Sequence, residues 1–311
     1  MEKLHQLYAA YVDTFRVDGV LPPMMALKLL HTGKVVENAK LIAAGEGFEA
    51  TTARVCEAAA LLHDTGRYEQ LKRYNTFRDS DSVDHAVFSH DIVVEKGWLG
   101  GVEHRQAILD AVLFHNRREL PEGLDPLTLA AAQTVRDADK LDIFRVLEDQ
   151  VAKTDWRHDC KAFWNLPTTA RPNPDVLAAI RERRPVAYQD IKSLADFVLI
   201  QVGWIISDLA YATSRRLCAE RGHLAYRRDF LHQLTDDPAI DELCDLAALT
   251  TAPTDSRRFA QAGATAHLGL PKPRCRQPSH TRDYAAERSA VKSHLRDSEP
   301  APSPSYMRPR S

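Results

Sequence analysis

Cysteine is scarce in this chain and never closely paired. The five residues Cys56, Cys160, Cys218, Cys244 and Cys275 are scattered with no CxxC spacing. This excludes a disulfide framework or zinc knuckle and reads as reduced thiols in a cytoplasmic protein. Long apolar runs are also lacking. The most apolar stretch, Phe197 to Ala212, is short for a membrane span and contains Asp208, so it reads as a buried core helix. The N-terminal "MEKLHQLYAAYVDTF" has no apolar signal-peptide region. A formal charge of −2 gives no whole-chain signal for nucleic acid or an anionic membrane. No P-loop, GxGxxG or nucleophile elbow occurs, and "GEGFEA" lacks the necessary spacing. Strand-like alternation is nearly absent.

Helical periodicity fills most of the chain to about residue 250. Apolar residues recur at three- and four-residue intervals across Met24 to Ala44, Thr51 to Asp64, Val83 to Lys96, Glu103 to Asn116, Pro126 to Ala152 and Ser193 to Arg221. The alternative for the third of these is a start in a loop, because "NTFRDSDSVD" is rich in turn and cap residues. Breaks fall at "GEGF", "GWLGG", "LPEGLDP" and "LPTTARPNP". The expected fold is all-α: one helical domain over 1–250, followed by a tail over 251–311. That tail is rich in Pro, Ser and Arg, carries eleven Lys/Arg against five Asp/Glu, and has no sustained apolar period. Disorder and solvation are the expectation for it.

The chemistry begins at "LLHDTGR", Leu61 to Arg67. His-Asp occurs three times, at His63-Asp64, His90-Asp91 and His158-Asp159, so the dipeptide alone carries little information. Only His63-Asp64 ends a nearly apolar run, "VCEAAALLHD". A carboxylate is costly to bury unless it is paired, hydrogen-bonded or metal-bound. His31, His85, His115 and Asp139 also lie on or beside apolar helical segments. Each alone reads more readily as a core histidine or a helix-end aspartate. Together they require a shared explanation.

This ordered set of His, His-Asp, His, His and Asp resembles the HD-domain superfamily of metal-dependent phosphohydrolases. "LLHDTGR" is similar to that superfamily's central motif, and "YNTFRDSDSVDHAVFSHDIV" and "VRDADKLDIFRVL" are similar to later motifs of one bacterial branch. The resemblance covers roughly residues 24 to 150. It implies that His31, His63, Asp64 and Asp139 bind one metal ion. His85 and His115 would complete a second, with Asp64 bridging. His90 competes with His85, and Asp137 with Asp139. The "D..S.D"-like stretch before His85 and the "AD" pairing before Leu141 favour His85 and Asp139.

Imidazoles and carboxylates form mixed N/O sites suited to Mn, Fe, Ni, Co, Zn or Mg. Such an ion lowers the pKa of bound water from about 15.7 toward about 7, and two ions about 3.5–4 Å apart can hold water and a phosphoryl oxygen together. Phosphate then needs cations, and Arg67 and Lys140 lie nearest in sequence to the ligands, ahead of Arg73, Arg117 and Arg136. The expected catalytic set is Asp64, Arg67 and Lys140, acting on a nucleotide or another small phosphate ester, with neither membrane nor nucleic acid as partner. Superfamily members that cleave cyclic dinucleotides carry a lysine after the central motif and a later GYP triplet. Here Arg67 stands at that position and no GYP exists, so the resemblance disfavours that activity. Absence of an adjoining nucleotidyltransferase or synthetase segment disfavours a bifunctional alarmone enzyme. An HD-fold di-iron oxygenase and a non-catalytic nucleotide-binding protein are the alternatives.

Overall fold

A computed structural model describes residues 1–158, 163 and 165–251. The expected tail lies outside these residues from 252 onward. Among the described residues there is no strand, only an isolated bridge between Val17 and Val20. The all-α expectation holds.

Helices α1 (Glu2–Asp13), α2 (Pro23–Gly45), α3 (Ala50–Leu62), α4 (Gly66–Tyr74), α5 (His85–Glu95), α6 (Arg105–Phe114) and α7 (Pro126–Lys153) form the first part of the chain. They are followed by α8 (Pro174–Arg181), α9 (Leu194–Gly203), α10 (Ala212–Glu220), α11 (His223–Leu234) and α12 (Ala239–Thr251). The starts of α2 and α7 follow from Pro23 and Pro126, whose fixed φ suits the first helical turn and whose missing N–H costs nothing there. Asp125 adds a side-chain cap, accepting the Leu127 and Thr128 N–H groups at 3.0 and 3.1 Å. Asp84 caps α5 in the same way. Helix α5 therefore begins at His85, after a single 3-10 turn over Asp79–Asp81, as the polar loop text allowed.

The central core lies where α7 packs against α2, α3 and α6. Val35 and Ile42 of α2, Cys56 and Leu62 of α3, Ile108 and Val112 of α6, and Val135 and Leu141 of α7 are buried there. Each buried Leu or Ile contributes about 1.5–3 kcal/mol relative to exposure. Leu30, although apolar and next to His31 on α2, is exposed. His31 takes the inward position, and the adjacent residue is turned about 100° away around the helix.

Two expected boundaries change. The run Ser193 to Arg221 is two helices, not one: α9 ends at Gly203, a π-helical turn spans Trp204–Asp208, and α10 starts at Ala212. The cause is distant in sequence. The buried Asp137 carboxylate accepts the Ala210 and Tyr211 N–H groups at 3.0 Å each, taking them out of a continuous helix. Likewise α3 ends at Leu62, and Gly66 opens a further helix, α4. A Cβ on Gly66 would lie 2.7 Å from the Ser89 backbone nitrogen, so only glycine lets α4 approach α5 this closely. Among the described residues, no helix is long and apolar enough to cross a membrane.

Candidate metal centre

Helix ends and helix middles deliver the six residues to one place. His63 and His115 stand just past the ends of α3 and α6, His85 opens α5, and His31 and Asp139 project from α2 and α7. All four imidazoles are buried and have Nδ1 engaged. His31 Nδ1 lies 2.7 Å from Asp142 Oδ2, and His85 Nδ1 lies 2.5 Å from Asp79 Oδ2. His63 and His115 reach the Ala60 and Val112 carbonyls, both at 2.7 Å. A carbonyl can only accept, so Nδ1 carries the proton in those two rings and Nε2 presents a lone pair. Such outer hydrogen bonds fix the tautomer and aim of metal-binding histidines.

The Asp64 carboxylate lies at the centre, and its two oxygens face different groups. Oδ2 is 3.6 Å from Nε2 of both His31 and His63. Asp139 Oδ1 joins that side, 3.1 Å from His31 Nε2 and 4.0 Å from His63 Nε2. Oδ1 faces Nε2 of His85 at 3.7 Å and of His115 at 4.0 Å. Both three-residue groups, His31/His63/Asp64 and Asp64/His85/His115, have donors close enough to share a metal ion. A third possible group, Asp79/Asp84/His85, is already occupied by internal duties. Asp79 orients His85, while Asp84 caps α5 and accepts from Asn116 Nδ2 at 2.8 Å.

The donor set fits a cation. His63 Nε2 is buried without a hydrogen-bond partner, a costly state, and His31 Nε2 has Asp139 Oδ1 at 3.1 Å without hydrogen-bond alignment. His85 Nε2 and His115 Nε2 lie 3.0 Å apart. Burial pushes both rings down to about 4, against the pull of Asp64, so both are neutral at pH 7. With both Nδ1 atoms protonated, two lone pairs would face each other, an arrangement that a positive ion between them relieves. Burial also lowers the His63 imidazole. His31 is lowered by burial and Lys28, but Asp139 and Asp142 outweigh them and leave it raised. Burial alone would raise Asp64; Lys28, His63, Arg67 and His85 hold it well below the usual carboxylate range.

The competing residues have other roles. His90 pairs with its neighbour Asp91 at 2.9 Å, and His158 is an exposed residue paired with Asp155. Asp137 braces the chain after the π-helical turn, leaving Asp139 to face the cluster. Among the expected cations, Arg67 places Nε 3.4 Å from Asp64 Oδ1. Its Nη1 is shared among Gln70 Oε1, the Phe77 carbonyl and Asp79 Oδ1 at 2.7, 2.7 and 2.9 Å. Lys140 is buried with its ammonium 5.7 Å from the centre of the Trp204 ring; burial and Arg136 lower it, opposed by Asp208, Asp137 and Asp139. Arg136 donates to the Arg117 and Arg118 carbonyls, and Arg73 to Glu69, so both are committed to local structure. The exposed Arg117 is not drawn into the cluster.

Two functional-looking residues escaped sequence reasoning. Lys28 donates to Asp64 Oδ2 at 2.7 Å, and Asp142 holds His31 while itself held by Arg145 at 2.6 and 3.0 Å. The available signal was spacing: Lys28 precedes His31 by three residues and Asp142 follows Asp139 by three, each on a shared helix face. Residues 29–143 match the family model of the HD domain. Neither the curated proteins nor the solved structures compared with the chain gave a match.

Proposed function

From the HD domain that this chain carries across residues 29–143, we propose that it is a metal-dependent phosphohydrolase acting on a nucleotide or another small phosphate ester. The observation that carries this reading is the division of Asp64, whose oxygens face two separate imidazole-rich groups. His31, His63, Asp64 and Asp139 would hold one divalent ion, and Asp64, His85 and His115 a second. Bound there, such ions supply Lewis acidity, which favours ionisation of water near neutral pH and withdraws charge from a phosphoryl oxygen. The chain's own residues do the rest. Asp142 and Asp79 fix the His31 and His85 rings with Nε2 inward. Arg67, held by three acceptors, keeps positive charge beside Asp64 Oδ1 and locks Asp79 against His85. Lys140, adjacent to Asp139 with its ammonium over the Trp204 ring, would add a cation favouring an anionic substrate.

The test is metal analysis of the purified protein followed by a phosphate-release screen over nucleotides and simple phosphate esters. Metal-dependent release, abolished in Asp64→Ala, is the expected result. Binding of nucleotides without turnover would replace the reading with a sensor role. Oxygen-dependent turnover of iron-loaded protein, lost under anaerobic conditions, would replace it with an oxygenase.

A further inference from the structure

Two cations touch Asp64, one on each oxygen, and they are held very differently. Arg67 is fastened through Nη1 to Gln70, Phe77 and Asp79. Lys28 has, among the described residues, Asp64 Oδ2 as its one hydrogen-bond acceptor. An ammonium carries three donors, so two of the Lys28 donors are free. The Phe77 ring lies between these residues, 5.5 Å from the Lys28 nitrogen and 5.7 Å from the Arg67 guanidinium carbon. The Lys28 side chain remains 19% exposed, on the open side of a cluster whose imidazoles are buried.

The position of Lys28 conflicts with a metal ion in the same half of the site. His31 Nε2, His63 Nε2 and the Lys28 ammonium all converge on Asp64 Oδ2. A divalent cation accepted by those imidazoles and that oxygen would stand against the ammonium, like charge against like. Arg67 cannot leave without breaking three hydrogen bonds, whereas Lys28 gives up one and pivots on a flexible four-carbon stem. The freed ammonium, on a side chain still partly exposed, is then available to an anion.

We propose that Lys28 is an internal counter-cation that yields Asp64 Oδ2 to the metal ion and then clamps a tetrahedral oxyanion, the phosphoryl group of the substrate. This rests on the metal-dependent reading above, and it adds a substrate-binding residue outside the expected ligand set. Lysine suits the task because it binds phosphate as a point charge and needs no fixed planar geometry.

The experiment uses the full chain stripped of metal, with Lys28→Met to remove the charge and Lys28→Arg to keep it. Calorimetric titration with Mn2+ comes first, and inorganic phosphate is then titrated into the Mn2+-loaded proteins. Lys28→Met is expected to bind its first Mn2+ at least about fivefold more tightly than wild type, because no cation has to be displaced. Its phosphate affinity should fall by at least about tenfold, the worth of a charge-assisted hydrogen bond, with partial recovery in Lys28→Arg. Unchanged or weaker Mn2+ binding in Lys28→Met overturns the displacement, and unchanged phosphate affinity overturns the clamp. Wild-type protein that binds no Mn2+ sinks the metal-dependent reading itself, a result separable from both.

Discussion

Helix α7 carries parts of two buried polar clusters that are built in opposite ways. Toward its C-terminal end, Glu148 accepts from His223 Nδ1 at 2.7 Å and Arg227 Nη1 at 2.8 Å. Arg227 is fully buried, and its remaining donors reach Gln201, the Phe144 carbonyl and the His223 carbonyl. The chain supplies both the charge and the counter-charge there, and the network ties α7, α9 and α11 together. One stretch earlier on α7, Asp139 Oδ1 stands 3.1 Å from His31 Nε2 and 4.0 Å from His63 Nε2, beside Asp64, with more imidazole nitrogens than the chain's own donors and acceptors pair. His223 Nε2 and Gln201 Nε2 also lack partners in the Glu148 cluster, so charge balance is what separates the two. A cluster whose charges the chain pairs itself is closed, a structural tie. A cluster whose carboxylate oxygens and imidazole nitrogens converge is open, able to hold something positive.

The largest expected effect on the open cluster is functional. Asp64→Asn should abolish metal-dependent turnover and lower metal content, while the metal-free protein keeps its fold and helical circular dichroism. The corresponding lesion in the closed cluster reverses that pattern. Arg227→Met leaves Gln201 Oε1 without its donor and Glu148 with His223 alone, and should cost about 3–5 kcal/mol of stability in chemical denaturation, with metal stoichiometry unchanged in folded protein. If Asp64→Asn unfolds the chain while Arg227→Met does not, the comparison is the wrong way round.

Acid should sharpen the contrast in metal-free protein. His85 and His115 are held down to about 4, below the ordinary histidine value. The unfolded chain therefore binds protons that the folded chain refuses between about pH 6.5 and 4, and stability falls as pH falls through that window. Each ring contributes at most on the order of 3 kcal/mol. His63, also lowered, acts in the same direction. His31 is raised and opposes them: its contribution is present below the unfolded value and lost as pH rises. A thermal midpoint that drops between pH 6.5 and 4, and drops less with Mn2+ present, is the expected outcome. Removal of residues 252–311 should have the smallest effect, leaving thermal stability and metal content nearly unchanged, because that composition offers little apolar surface to pack.

Part of the cluster was legible because it places expensive polar residues where an apolar run stops. His63-Asp64 after "AAALL" and His115 after "AVLF" are the clearest cases. The choice of His85 over His90 was legible through Asp79, which stood out as a sequence marker and holds the His85 ring. Lys28 and Asp142 were not legible, since a charged residue three positions from a ligand reads as ordinary helix surface until its partner across the core is known. The break between α9 and α10 was hidden for a similar reason: it is imposed by Asp137, far away in sequence. The immobility of Arg67 depends on the Phe77 carbonyl and Asp79, a contact made by the loop fold and not by local spacing.

Whether Asp64 divides two metal positions between its oxygens, as we propose, is decided by metal counting in wild type and His85→Ala. Wild-type protein, saturated and then freed of loosely held ions, should retain two equivalents, and His85→Ala one, the His31/His63/Asp139 position persisting. One equivalent in active wild type, unaltered in His85→Ala, would contradict it.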